Sequence, residues 1–365
     1  SEDTAAAAGV FTTNVVKGHS LQVTLENIKS GYANAIVINS GNANACIGPV
    51  GYENAKEIAS LTASLLDCGS DKVLLGSTGV IGQPLDMEKI RSGIQAAVEN
   101  MSPDGGKDAA TAIMTTDLIT KQIAVEIEIK GTKVKIGGMA KGSGMIHPNM
   151  ATMIGIITTD ADISKKMLQK ALKDCTKKTF NRISVDGDTS VCDMVLILAN
   201  GQSENEAIMI DDAGFAEFRK ALEFVCSYLS KLIVQDGEGA TKFIEILAKN
   251  ALNEDDAYKI ACTVAKSPLV KTAIFGEDAN WGRILTAAGY SGANFDPSIV
   301  DIYIGDLLVC ENGNAVAFDE VVAKNILSKK EIKIILDLKQ GNHEDRMWTC
   351  DFSYDYIKIN GNYRS

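Results

Sequence analysis

The sequence has no apolar run near the ~20 residues that a membrane-spanning helix needs; a stretch such as MVLILAN at 194–200 is far too short. No signal-peptide pattern opens it, and it begins at Ser1 without a methionine, as a truncated or processed chain would. Positive charge is scarce: 36 Lys and Arg stand against 47 Asp and Glu, for a net charge of −11. With no basic stripe to offset that balance, nucleic acid and anionic membrane surfaces are poor partners. Histidine is scarcer still, with only His19, His147 and His343, and there is no G-x-S-x-G elbow. A conventional Ser-His-acid hydrolase therefore lacks its parts. Eight cysteines, Cys46, Cys68, Cys175, Cys192, Cys226, Cys262, Cys310 and Cys350, are scattered singly, with none of the close C-x-x-C pairs of zinc and redox sites. They read as buried small hydrophobes in a reducing compartment, so a cytoplasmic or organelle-matrix location is expected. No metal and no bound cofactor is expected.

What is present is ordinary globular material: 365 residues, 45% hydrophobic and 23% charged, enough for two or three structural units or one large one. Strand and helix periodicities alternate. AIVINSG (35–41) and MIGIIT (153–158) read as buried strands, LLGSTGVIG (74–82) as a strand running into a glycine turn, and QIAVEIEIKGTKVKI (122–136) as a hairpin about Lys-Gly. Helices are predicted over 52–66, 86–100, 108–114, 163–175, 211–233, 253–265 and 319–328, and further strands at DMVLILANG, FIEILAK and IKIILDL. The glycine-rich GGMAKGSGM (137–145) is expected to be a loop. The class is α/β or α+β with substantial sheet.

That glycine-rich loop is not a Walker loop, because no Lys-Ser/Thr follows Gly142, and not a dinucleotide fingerprint, because it leads into a strand. DGDTS (186–190) begins like a calcium loop, but Val191 and Ile197 stand at its sixth and twelfth positions, so it reads as a turn. His147, alone in the loop, reads as a bystander. There remains Thr152, which follows glycines, Pro148 and the small Ala151. A threonine hydroxyl can attack the carbonyl before it, shift the chain to an ester and be released as a new N-terminus. It then carries nucleophile and base in one residue, because its α-amine has an ordinary pKa of about 7.7–8.0. On spacing alone, a structural threonine after a glycine loop is the commoner case.

KGSGMIHPNMATMIGIITTDA (141–161) resembles the processing-site signature of the ornithine acetyltransferase family. AAGVFTTN, NSGNANACIG, GSTGVIG, MTTD, FNRISVDGDTS, QDGEGATKF, SPLVKTAIFGEDANWGRI and YDYIKINGNYRS resemble it in order across nearly the whole chain. The resemblance implies an αββα-type layered fold, akin to self-processing aminopeptidases with N-terminal nucleophiles. It implies self-cleavage between Ala151 and Thr152, giving an α chain (1–151) and a β chain (152–365) that stay together, in heterotetramers or larger assemblies of αβ units. The implied reaction moves an acetyl group from N2-acetylornithine to glutamate through acetyl-Thr152. Some members of the family also accept acetyl-CoA. Carried over residue by residue, Thr152 is the nucleophile, Thr78 and Gly79 form the oxyanion hole, and Thr115, Lys141, Thr152, Glu238, Asn360 and Ser365 contact substrate. The C-terminal stretch is thus expected to be ordered. Departures at Cys192-Asp193, Asp278-Ala279 and Gly361-Asn362 remove none of these residues, and the family's usual leading segment before Ser1 is missing. Two other readings stay open: an N-terminal-nucleophile aminopeptidase or amidase that discharges the acyl group to water, and a non-catalytic amino-acid-binding protein.

Overall fold

The computed structural model describes residues 4–147 and 153–362, which resolve into the mixed α/β class that the alternating periodicities imply. Two units are distinct. One takes in the chain up to Asn181 together with Asp188–Ile233; the other holds Arg182–Gly187 and the chain from Val234.

The first unit contains, in chain order, β1 (Ala5–Phe11), α1 (His19–Asn27), β2 (Tyr32–Ala33), β3 (Ala35–Asn42), α2 (Pro49–Leu65), β4 (Val73–Val80), α3 (Met87–Glu99), α4 (Gly106–Ala112), β5 (Lys121–Ile129), β6 (Thr132–Lys141), β7 (Ile154–Thr159) and α5 (Lys165–Lys178). After β8 (Ile183–Ser184), which belongs to the second unit, come β9 (Met194–Ala199) and α6 (Ala213–Gln235), whose last residues pass out of the first unit. Six strands form one sheet in the order β2-β1-β9-β7-β6-β5, while β3 and β4 pair in parallel as a second sheet. The period of two in β3 and β4 sends side chains both ways. Ile36, Ile38 and Leu74 pack on Ile154, Ile156, Met194 and Leu196 of the large sheet, and Val37, Val73 and Leu75 pack on Ile58 and Ala59 of α2 and Ile94 of α3. With apolar neighbours on both faces, such strands read as continuous hydrophobic runs. On the far face of the large sheet lies α6, with α5 beside it, the Cys175 thiol donating to the Arg219 carbonyl at 3.4 Å. Helix, sheet, sheet, helix is the expected αββα order.

The outer edge of β4 is closed by α1 rather than by another strand. Thr24 Oγ1 donates to the Leu75 carbonyl at 2.8 Å and accepts from the Leu75 amide at 2.5 Å, so a buried backbone pair that needs partners finds both in one hydroxyl. Lys130 and Gly131, with φ of 49° and 87°, make the two-residue turn between β5 and β6, as the paired positive φ values of a tight hairpin require.

The glycine-rich segment departs from expectation at its start. Residues 137–141 are not loop but the end of β6. A Cβ on Gly138 would lie 3.0 Å from Val225 and from Leu229 of α6, so this glycine is there to let a helix sit close on the sheet. The loop begins only at Gly142.

The second unit is a seven-stranded sheet in the order β13-β12-β11-β14-β10-β15-β8, with β10 at Phe243–Ala251, β11 at Asp301–Ile304, β12 at Leu307–Glu311, β13 at Asn314–Ala315, β14 at Glu331–Asp337 and β15 at His343–Cys350. It carries α7 (Glu254–Lys266), α8 (Pro268–Phe275), α9 (Trp281–Gly289), α10 (Glu320–Leu327) and α11 (Tyr354–Asn362). Ile244, Ile246 and Ala248 share a core with Ile260, Ala261 and Val264 of α7. That helix is started by Asn253, whose side chain accepts from the Asp256 amide, with three acidic residues in the first turn complementing the helix dipole. The last strand, β15, stops at Cys350. The buried Asp351 ends it by accepting from the amides of Thr241 and Lys242, and the chain turns helical at Tyr354.

Six cysteines are buried as expected; Cys46 is exposed and Cys68 half-buried. Among the described residues no helix is long and apolar enough to cross a membrane. Thr24→Val should lower stability by about 1–3 kcal/mol, since it leaves the Leu75 amide and carbonyl unpaired. Urea unfolding measures this, and an unchanged midpoint would mean that water reaches that edge.

Candidate active site

The end of β4 is built so that only certain residues fit. Ser40 lies opposite Thr78 and Gly41 opposite Gly79 in the parallel pair. Gly79 has φ of +129°, and a Cβ there would stand 2.3 Å from the Gly41 carbonyl carbon, so the close approach of the two strands requires glycine. One residue earlier, Ser77 donates to Asn39 Oδ1 at 2.6 Å and shares a 2.7 Å hydrogen bond with Ser20. Thr78 alternates to the opposite side, the side of Leu74, which faces the six-stranded sheet. It is only 2% exposed.

Waiting for it there is Lys141, the last residue of β6. The Lys141 ammonium donates to Thr115 Oγ1 at 2.7 Å and to Thr78 Oγ1 at 3.2 Å, and lies 3.8 Å from Asp117 Oδ2. Asp117 in turn accepts from Lys121 Nζ at 2.7 Å, the Gly142 amide at 2.6 Å and the Thr115 amide at 3.1 Å. The side chains of Asp117 and Lys121 are both 0% exposed and that of Lys141 is 3%. Burial pushes the Asp117 carboxyl up, but Lys141 and Lys121 beside it, together with the Gly142 amide, outweigh burial and hold it below the usual carboxylate range. Burial pulls the Lys141 ammonium below an ordinary lysine, with Asp117 acting against that pull. The structure thus brings Thr78, Gly79, Thr115 and Lys141 to one place, around two cations that share one carboxylate. A site with that excess of positive charge and hydroxyl groups suits a carboxylate or a developing oxyanion.

Ala151 and Thr152 lie outside the described residues, as does Ser365. The neighbour of Thr152 in the chain, Met153, donates its amide to Asp193 Oδ1 at 3.0 Å. Asp193 is fully buried, and burial raises its carboxyl well above the ordinary value. In the second unit, Asn360 of α11 donates to Glu238 Oε2 at 2.8 Å, so those two predicted residues also meet. Glu238 is buried at the turn before β10, where a Cβ on Gly239 would lie 2.4 Å from the Tyr356 amide.

Sequence reasoning missed Asp117, Lys121 and Asp193. The signal for the first two was available: an Asp-to-Lys spacing of four beginning in MTTD, which looks like a solvated pair until burial is known. The Cys192 thiol is pushed up to about 12 by burial and stays protonated. Both His19 ring nitrogens are buried without a partner, the ring lying against Gly51. Among the described residues no three His, Cys, Asp or Glu side chains are placed to hold a metal ion.

The sequence model of the ArgJ family matches residues 1–365, the whole chain. The chain belongs to that family. It is 53% identical to the arginine biosynthesis bifunctional protein ArgJ of Caldanaerobacter subterraneus subsp. tengcongensis, over 100% of this chain and 92% of that protein. It is 46% identical to the protein of the same name from Bacillus subtilis, over 100% of this chain and 90% of that protein. Among solved structures, the arginine biosynthesis bifunctional protein of Bacillus halodurans is similar with a TM-score of 0.55 at 44% identity, covering 56% of this chain and 97% of that one. The resemblance read from KGSGMIHPNMATM is therefore borne out at the level of the family. The close approach at Gly79 is testable: Gly79→Ala should destabilise the protein and shift the amide resonances of Gly41 and Asn42, whereas an unchanged melting temperature and spectrum would deny the close approach.

Proposed function

We propose that this protein transfers the acetyl group of N2-acetylornithine to glutamate in arginine biosynthesis. The observation that carries this reading is the buried Lys141–Thr78–Thr115 cluster in a chain of the ArgJ family, with Lys141 eleven residues before Thr152 in the sequence. The chain cuts itself between Ala151 and Thr152. The hydroxyl of Thr152 then attacks the acetyl carbonyl carbon of acetylornithine, and the α-amine of Thr152 takes the hydroxyl proton. The Thr78 hydroxyl and the Gly79 amide meet the negative charge that develops on the carbonyl oxygen. Collapse of the tetrahedral intermediate breaks the C–N bond, the proton passes to the leaving amine, and ornithine departs. The α-amine of glutamate attacks the acetyl ester and leaves as N-acetylglutamate, with Thr152 restored.

By the family resemblance, Thr115, Lys141, Glu238, Asn360 and Ser365 are assigned the polar contacts that an amino-acid substrate asks for. A lysine pairs with an α-carboxylate and a glutamate with a δ-ammonium. Acetyl-CoA serves as a second donor. The two products of the cut remain together as αβ units that associate further, in the cytoplasm or, in a eukaryote, an organelle matrix.

Intact-protein mass spectrometry tests the first step. The wild type should give two polypeptides, 1–151 and 152–365, and Thr152→Ala one. A single uncut wild-type chain would remove the free amine the mechanism requires and favour a non-catalytic binding protein. Steady-state kinetics test the second: double-reciprocal plots with acetylornithine and glutamate should be parallel, as for a ping-pong enzyme. Release of free acetate faster than N-acetylglutamate would instead make the protein an amidase.

A further inference from the structure

We propose that Asp117 is a positioning residue for this reaction: with Lys121 as its second cation, it holds the Lys141 ammonium behind the Thr78 hydroxyl and so aims that hydroxyl's proton at the developing oxyanion. This rests on the acetyl-transfer reading of the site.

What matters is which atom donates. A lysine ammonium has three N–H donors and no acceptor. At 3.2 Å from Thr78 Oγ1 it can only donate, so the threonine oxygen must accept. The threonine proton is then turned away from Lys141, and Lys141 is the side-chain hydroxyl's one partner among the described residues. A hydroxyl whose oxygen accepts from a cation is also a better donor, because each bond in such a chain polarises the next. A neutral Lys141 would undo both effects. Its lone pair could accept the Thr78 proton, and the hydroxyl would point backwards, away from the acetyl group.

Everything therefore depends on the charge of Lys141, which is buried. The titratable groups that face it are Asp117, Lys121, Asp193 and Cys192. Lys121 works against its charge, and the Cys192 thiol stays protonated. Asp193 is itself held toward its neutral form by burial. Among the chain's own described side chains, Asp117 is left as the group that keeps the ammonium charged, 3.8 Å away. It also fixes where the ammonium stands: the same carboxylate binds the Thr115 amide and the Gly142 amide, one residue beyond Lys141. One side chain thus sets the charge of Lys141, its backbone and the threonine it shares.

The test reads the pH dependence of kcat for acetyl transfer. In Asp117→Asn the shape is kept and the negative charge lost, so Lys141 should give up its proton at lower pH and the alkaline limb of kcat should move down by about one pH unit or more. Adding Lys121→Met removes the competing cation and should bring that limb back up, which a merely structural role for Asp117 does not predict. Lys121→Met alone should move the limb upward, and it serves if Asp117→Asn does not fold, as circular dichroism would show. An active wild type whose alkaline limb is the same in Asp117→Asn, or in Lys121→Met where that variant alone folds, overturns the positioning role and leaves the acetyltransferase reading standing. A wild type with no acetyl transfer defeats both.

Discussion

One carboxylate shared by two lysines out of reach of water is the constraint around which the first unit is arranged. Stripping three charges of their hydration is costly, and their mutual attraction offsets it only when the geometry is tight and the remaining donors and acceptors are satisfied. Asp117 meets that condition by taking Lys121, two backbone amides and the more distant Lys141. Its partners come from the start of β5, the end of β6 and the loop that follows α4. The ends of the hairpin strands are therefore tied to a loop by charge, where the rest of the layer is tied by apolar packing. That the tie is electrostatic matters for what it can do, because a hydrophobic plug of the same volume would hold the loop but present no field to Thr78.

The two sheets share the task of presenting Thr78. Its strand, β4, is sandwiched, so the alternation of side chains leaves no freedom: with Leu75 toward the helices and Leu74 toward the large sheet, Thr78 must face the large sheet, where Lys141 ends β6. Position 79 can follow only as glycine, because the Gly41–Asn42 backbone stands where its Cβ would be. The arrangement is a meeting of two strand ends from different sheets, which gives a short hydroxyl a fixed direction without a loop to wander.

Much of this was legible from the residues. Strand and helix periods predicted the hairpin at 122–136, the β3 and β4 strands and the long helix near 211–233, and the family motifs picked out Thr78, Gly79, Thr115 and Lys141, which the fold collects. Less legible were features whose meaning depends on what packs against them. Gly138 looks like a loop glycine until α6 is seen lying on it. The helix His19–Asn27 has polar residues at Ser20 and Thr24 on its inner side because it replaces a strand at the edge of β4, a role no amphipathic pattern announces. Charge at a spacing of four, as in Asp117 and Lys121, is commonly solvated, and only their burial reveals them. Asp193, followed at once by the apolar MVLILA, has no local signal at all.

The strand order of the large sheet carries a consequence of another kind. β5 and β6 precede the Ala151–Thr152 bond and β7 and β9 follow it, yet β7 lies between β6 and β9, and β1, from the start of the chain, borders β9. A cut at that bond would leave the backbone ladder of the folded protein unchanged. It would change the way back from the unfolded state. What had been a search by one chain would become an encounter between two, with a rate that falls as the protein is diluted and a loop-closure cost replaced by the loss of translational freedom. Such a protein would fold readily once, as a precursor, and hold its shape afterwards as a record of having been a single chain.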